Sequence, residues 1–179
     1  MGALHKIFIS FHSEDIYYKN EFEKLFHAYH EVIISRSVDT GDIPDNLQTE
    51  TVRQKIRDEY LRDSSVTIVL IGSKTWQRKH VDWEISSSIR ATDKNPRSGL
   101  LGIILPSYSG YASNSYNQYT IPPRLNGNLV NGFAAIKPWT ANPTFIQQWV
   151  HEAYVRKSSF LPDNSYPSFV NNRSCDRWY

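Results

Sequence analysis

One carboxylate stands out by its surroundings. Glu84 lies in the stretch Ile71 to Ile85, which reads IGSKTWQRKHVDWEI. It follows the apolar, β-branched run Val66-Thr67-Ile68-Val69-Leu70, the pattern of a buried strand, and falls early in a helical pattern. Open α/β sheets bind ligands in the crevice at the carboxyl ends of their strands, so a carboxylate just past a strand is a candidate for chemistry. With Val81 set at zero and about 100° per residue, Ile85 and Ile89 fall near 40° and 80°, and Glu84 near 300°. That position borders the buried stripe, where a half-enclosed carboxyl has the setting a functional acid needs. The plainer explanation is the helix dipole, which favours both Asp82 and Glu84 in a first turn.

The elements that must position this group alternate along the chain. Lys6 to Phe11 reads as a buried strand. In the next segment Phe22, Leu25, Phe26 and Tyr29 mark one face of a helix. Val32 to Ser35 is a weaker strand, Arg36 to about Thr49 a loop of turn-formers, and Glu50 to Leu61 a helix. Val66 to Ile71, Leu100 to Leu105 and Phe133 to Lys137 complete a set of five strands, with a helix over Val81 to Thr92. Asn142-Pro143 opens a last helix, whose apolar face is Phe145, Ile146, Trp149, Val150, Ala153 and Tyr154. Such alternation implies an α/β fold, a parallel five-stranded sheet with helices on both faces. Pro106 to Asn131, rich in Ser, Asn, Gly, Pro and Tyr, reads as an irregular insertion where a helix is due. The tail from 159 to 179 has no periodicity and is expected to pack on the surface of a single domain spanning 1–179, with its core over about 5–158.

Composition narrows the function. The chain has 179 residues, 40% of them hydrophobic and 21% charged, with a net charge of +2, which suits one folded domain and gives no reason to expect nucleic acid as a partner. The single cysteine, Cys175, allows neither an intrachain disulfide nor a cysteine metal cluster. His27 and His30 stand three apart on a helix but have no third ligand nearby, so no metal is expected. No apolar run reaches the roughly 18 residues of a membrane span, and the first residues lack a signal-peptide core, which points to a cytoplasmic protein. No glycine-rich phosphate loop is present, which counts against a dehydrogenase or NTPase.

The segment Ile71-Gly72-Ser73-Lys74-Thr75-Trp76 with Val81-Asp82-Trp83-Glu84-Ile85 resembles the helix-C region of TIR domains, where the glutamate is catalytic in NAD-cleaving members. Lys6-Ile7-Phe8-Ile9-Ser10-Phe11-His12 resembles their opening strand, and Arg36-Ser37-Val38-Asp39 sits where they carry the BB loop. Ile121-Pro122-Pro123-Arg124-Leu125, Asn128, Asn131-Gly132-Phe133 and Trp139 are similar to the TIR-like branch that includes the ThsB proteins of the bacterial Thoeris anti-phage system. The resemblance implies a flavodoxin-like TIR fold. It also implies an NAD+-consuming enzyme that makes a cyclic ADP-ribose isomer, a messenger reaching a separate ThsA-like effector, with self-assembly on activation. NAD+ would be a substrate, with no cofactor bound permanently. Many NAD-cleaving members carry a tryptophan four residues before the glutamate. This chain has His80 there and Trp83 immediately before Glu84, so either ring is a candidate to line the pocket.

One carboxylate suffices for that chemistry. An O-glycosidase needs a general acid beside its nucleophile or base. Nicotinamide leaves a cationic pyridinium as a neutral molecule, so a single anion that steadies the oxocarbenium charge is enough. Phe11, His12 and Ser13 end the first strand and face the same crevice. Phe11 would stack on a base or serve as core, and His12 is as readily a loop histidine. Ser37 and Asp39 would bind a ribose, or simply form the turn. Lys74 and Arg78 would attract the pyrophosphate, or remain solvated. Tyr108 or Tyr111 would cover a base as part of a lid, or belong to the insertion. Two other functions fit the same residues: a non-catalytic interaction module, and a nucleoside deoxyribosyltransferase-like enzyme.

Overall fold

A computed structural model describes residues 5–27, 32–34 and 47–179. Five strands, β1 (Lys6–Ser10), β2 (Val32–Ile34), β3 (Val66–Ile71), β4 (Gly99–Ile104) and β5 (Ala134–Pro138), form one sheet in the order β2-β1-β3-β4-β5. Every pairing is parallel, with Ile9 beside Ile68 and Ile68 beside Leu101. This is the flavodoxin-like arrangement, and its topological switch point lies between β1 and β3. β3 and β4 are buried at every position, which is why they read as nearly continuous apolar and β-branched runs.

Alternation along the strands sorts the core into two faces. Ile7, Ile9, Ile68, Leu70, Leu101 and Ile103 pack against α1 (Ile16–His27) and α5 (Pro143–Ser159), with Phe22, Phe26, Ile146, Val150 and Ala153 facing them. α5 comes so close at Gly99 that a Cβ there would lie 2.3 Å from the Ala153 carbonyl oxygen. Asn142 caps α5 by accepting from the Thr144 amide at 3.0 Å. The opposite face carries α2 (Thr49–Lys55), a π-helical turn at Ile56–Tyr60, α3 (Lys79–Ser88) and α4 (Pro123–Val130). There Val69, Ile71 and Leu100 meet Val81, Ile85, Ile89 and Leu125, while Phe8 meets Val52, Ile56 and Leu61.

Three expectations from the sequence are corrected. Residues 106–131 are not one irregular insertion: they contain α4 and two short 3-10 turns, Tyr111–Ser113 and Gln118–Thr120. Pro, Asn and Gly give α4 poor helix propensity, and burial of Leu125, Arg124 and Asn128 outweighs it. α3 starts at Lys79 rather than Val81 and ends at Ser88. The buried face of α5 is narrower than its pattern suggested, since Phe145 and Tyr154 are exposed while Ile146, Val150 and Ala153 are buried.

The π turn delivers Arg57, a fully buried guanidinium. Its Nη1 donates to Leu61 O (3.3 Å), Ser64 Oγ (3.0 Å) and Ser98 Oγ (3.0 Å), and its Nη2 to Ser64 O (3.4 Å) and Pro96 O. Desolvation pulls its pKa down to about 10, so it remains charged at neutral pH. This fork ties the starts of β3 and β4 to the end of the π turn. Arg57→Ala would remove the whole fork of buried bonds and leave a void in place of the guanidinium, and urea unfolding should show a loss of about 2–4 kcal/mol. Arg57→Lys should restore little of it, because an ammonium cannot reproduce the planar fork.

Candidate active site

β1 places Phe8 and Ser10 on the face covered by α2 and α3, because side chains alternate along a strand. Ser10 and Glu84 are both fully buried, and the Ser10 hydroxyl donates to Glu84 Oε2 at 2.5 Å. Glu84 is therefore more deeply enclosed than its place at the border of the helical stripe implied: β1 closes over the side the angle left open. His80 stands one turn earlier on the same helix face. Its Nε2–H donates to the Phe11 carbonyl at 3.0 Å, because a carbonyl can only accept. Phe11 thus contributes a backbone oxygen here, while its ring belongs to the first core cluster.

The ends of β1 and β3 bring a second set of groups together. His12 is buried, with Nδ1 3.5 Å from Ser13 Oγ and Nε2 3.7 Å from Glu14. Asp15, also buried, accepts from Ser107 Oγ at 2.6 Å and lies so close to Gly72 that a Cβ there would sit 2.2 Å from its Oδ2. Burial raises the Asp15 pKa against the opposing Ser107 bond. Lys74 bonds to Glu14 at 2.9 Å on the surface, a pair of the kind that contributes little stability.

Burial lowers the pKa of His12, helped by Arg78, and that of His5, helped by His151 and Lys157. Both groups bind protons more readily unfolded than folded. Their contribution to stability is present above about pH 6.5 and is lost as pH falls through the lowered folded values. Asp15 acts with the opposite sign at acid pH: its contribution is present below the ordinary Asp value and lost as pH rises through its raised folded value. Urea midpoints should therefore fall between about pH 7 and 5. The fall should shrink in a His5→Gln, His12→Gln variant.

Trp83 and His80 point to different places. Trp83 donates from Nε1 to the Phe169 carbonyl of the C-terminal tail at 2.9 Å, with the Lys79 ammonium 4.6 Å from its ring centroid. With Arg53 and Phe169 it lines a cavity of about 300 Å³ between α2, α3 and the tail. His80 is the ring held at the end of β1. The lid expected of Tyr108 is not formed: its ring is core, and its hydroxyl bonds to Thr120 Oγ1 (2.6 Å) and the Asn117 amide (2.9 Å). Ser37, Asp39 and His30 lie outside the described residues, as does the side chain of His27.

Ser10 and Asp15 are the polar groups the sequence reading passed over. A serine on the inner face of an apolar strand, sharing parity with Phe8, was the available signal for Ser10. Nothing in the local pattern distinguishes Asp15 from the exposed Glu14 beside it. Among the described residues no group of three or more His, Cys, Asp or Glu side chains is placed to hold a metal, and no helix is long and apolar enough to cross a membrane.

A family model described as the TIR-like domain of the Thoeris protein ThsB matches residues 8–109. The matched range contains Ser10, His12, Asp15, His80 and Glu84, and stops before α4, β5, α5 and the tail. No curated protein matches the chain.

Proposed function

The chain belongs to the family of the Thoeris protein ThsB TIR-like domain, and from that premise we propose that it is an NAD+-consuming enzyme whose essential group is Glu84. The observation that carries this reading is the Ser10–Glu84 pair, a buried carboxylate oriented by a hydroxyl at the β1 side of the switch point. The bond from ribose C1′ to the pyridinium nitrogen breaks, and its electron pair leaves with neutral nicotinamide. Glu84 stabilises the oxocarbenium charge that develops on the ribose and accepts hydrogen bonds from its hydroxyls. Capture by an adenine nitrogen or a ribose hydroxyl of the same molecule, with loss of a proton when a hydroxyl or amine attacks, gives a cyclic ADP-ribose isomer. Capture by water gives ADP-ribose. Exclusion of water by the buried setting of Glu84 favours the cyclic product. That product would reach a separate effector of the defence system by diffusion.

The same burial also favours a second reading. Glu84 is fully covered, so substrate reaches it only after a neighbouring segment moves. A protein that never opens would be a non-catalytic interaction module. Mass spectrometry of nucleotides in phage-infected cells carrying the chain decides between them. The enzymatic reading expects nicotinamide and a cyclic ADP-ribose isomer, both absent with Glu84→Gln. Equal product levels from the two chains, or none from either, would overturn it.

A further inference from the structure

The tail runs antiparallel along α3, the helix that carries Glu84, and bonds to it from end to end. Asn164 Nδ2 donates to Ser86 O at 2.9 Å. The Phe169 amide donates to Asp82 Oδ2 at 2.9 Å, and the Phe169 carbonyl accepts from Trp83 Nε1. Asn172 Oδ1 accepts from the Lys79 amide at 2.8 Å, and the Arg173 amide donates to Gln77 O at 2.8 Å. Phe169 is buried under the Arg173 guanidinium, 4.1 Å from its ring centroid.

These bonds meet needs that α3 cannot meet itself. A helix leaves its first amides and last carbonyls without partners. The N-cap residue, Arg78, offers α3 no side-chain acceptor, and the Lys79 amide obtains one from Asn172. Ser86 O is among the last carbonyls, and Asn164 supplies its donor. Beyond the helix the tail is anchored on α4, where Asp163 N and O bond to the Asn128 amide group, and at its far end, where the Trp178 amide and indole bond to Tyr119 O and Ile121 O.

We infer that residues 164–173 are a clamp that sets the axial position of α3, and that Asn172 and Asn164 are positioning residues for the Glu84 carboxylate against Ser10. The link to turnover rests on the function proposed above; the clamp itself does not. All of the clamp lies outside the residues matched by the family model.

Hydrogen exchange on the full chain tests it, with Asn172→Ala removing the acceptor and Asn172→Asp keeping one. Amides 82–86 should exchange about fivefold faster in the alanine variant, the scale of one lost cap, and at the parental rate in the aspartate variant. Where NAD+ is consumed, kcat should fall by a similar factor in Asn172→Ala with KM unchanged, and recover in Asn172→Asp. Asn164→Ala should speed exchange from the other end of the helix. Parental exchange in both alanine variants would overturn the clamp, as would failure of aspartate to restore protection at residue 172. A chain that shows the exchange pattern but never consumes NAD+ would overturn the enzymatic reading and leave the clamp standing.

Discussion

Glu84→Gln is expected to lower NAD+ consumption by at least about 10²- to 10³-fold, the scale of losing a main electrostatic contact to the transition state. Folding stability should be unchanged. Glutamine keeps the shape of the side chain, and its amide oxygen can accept the bond from Ser10. The substitution removes the ionisable group and leaves the packed volume nearly as it was. Nicotinamide release and a thermal melt, measured on the same preparation, separate a chemical effect from unfolding. Parental turnover in this variant would remove Glu84 from the mechanism. Ser10→Ala should fall between the two, since it leaves the charge but removes the hydroxyl that orients it.

The largest stability effect is expected at the pair Asp82–Arg124. Both side chains are buried, with Arg124 Nε 3.0 Å from Asp82 Oδ1 and Nη2 3.4 Å from Oδ2. The remaining capacity is filled by the tail: the Phe169 amide bonds to Asp82 Oδ2, and Arg124 Nη1 donates to Asn164 O at 3.1 Å and Oδ1 at 2.8 Å. Removing one partner strands the other charge in the interior. Asp82→Ala or Arg124→Ala should each cost about 3–5 kcal/mol in urea unfolding. The double change Asp82→Leu, Arg124→Met should cost much less than the sum, because no unpaired charge remains. Additive losses would show that the two residues act independently.

Particular residues show how far the sequence reached. β3 and β4 were legible because a strand covered on both faces is nearly all apolar, and Thr67 is the one polar side chain in the two. The alternation of elements implied a parallel five-stranded sheet, and the flavodoxin-like order β2-β1-β3-β4-β5 was implied by the family resemblance alone. α4 was not legible: its sequence, PRLNGNLV, is weak as an isolated helix and is held by Leu125, Arg124 and Asn128, whose partners lie far along the chain. Its helical angle puts Glu84 at the border of the buried stripe, which holds for a helix covered along one stripe alone. α3 is covered on more than one side, with Asp82, Glu84, Ser86, Ser87 and Ser88 all buried. One of those covers is the tail, whose bonds to α3 depend on isolated asparagines and backbone groups. Such contacts carry no period that a sequence reading can detect.

The separation between α3 and its caps bears on when the protein becomes competent. Asn164 and Asn172 lie 78 and 93 residues beyond their partners in α3. At about 5–20 residues per second, a ribosome needs roughly 4–20 seconds to travel that distance. Until residue 164 has been made, β1, β3 and α3 exist without either cap, and until residue 172 has been made the Lys79 amide lacks its acceptor. A chain that stops before residue 164 would therefore carry the Glu84 helix without either of these caps.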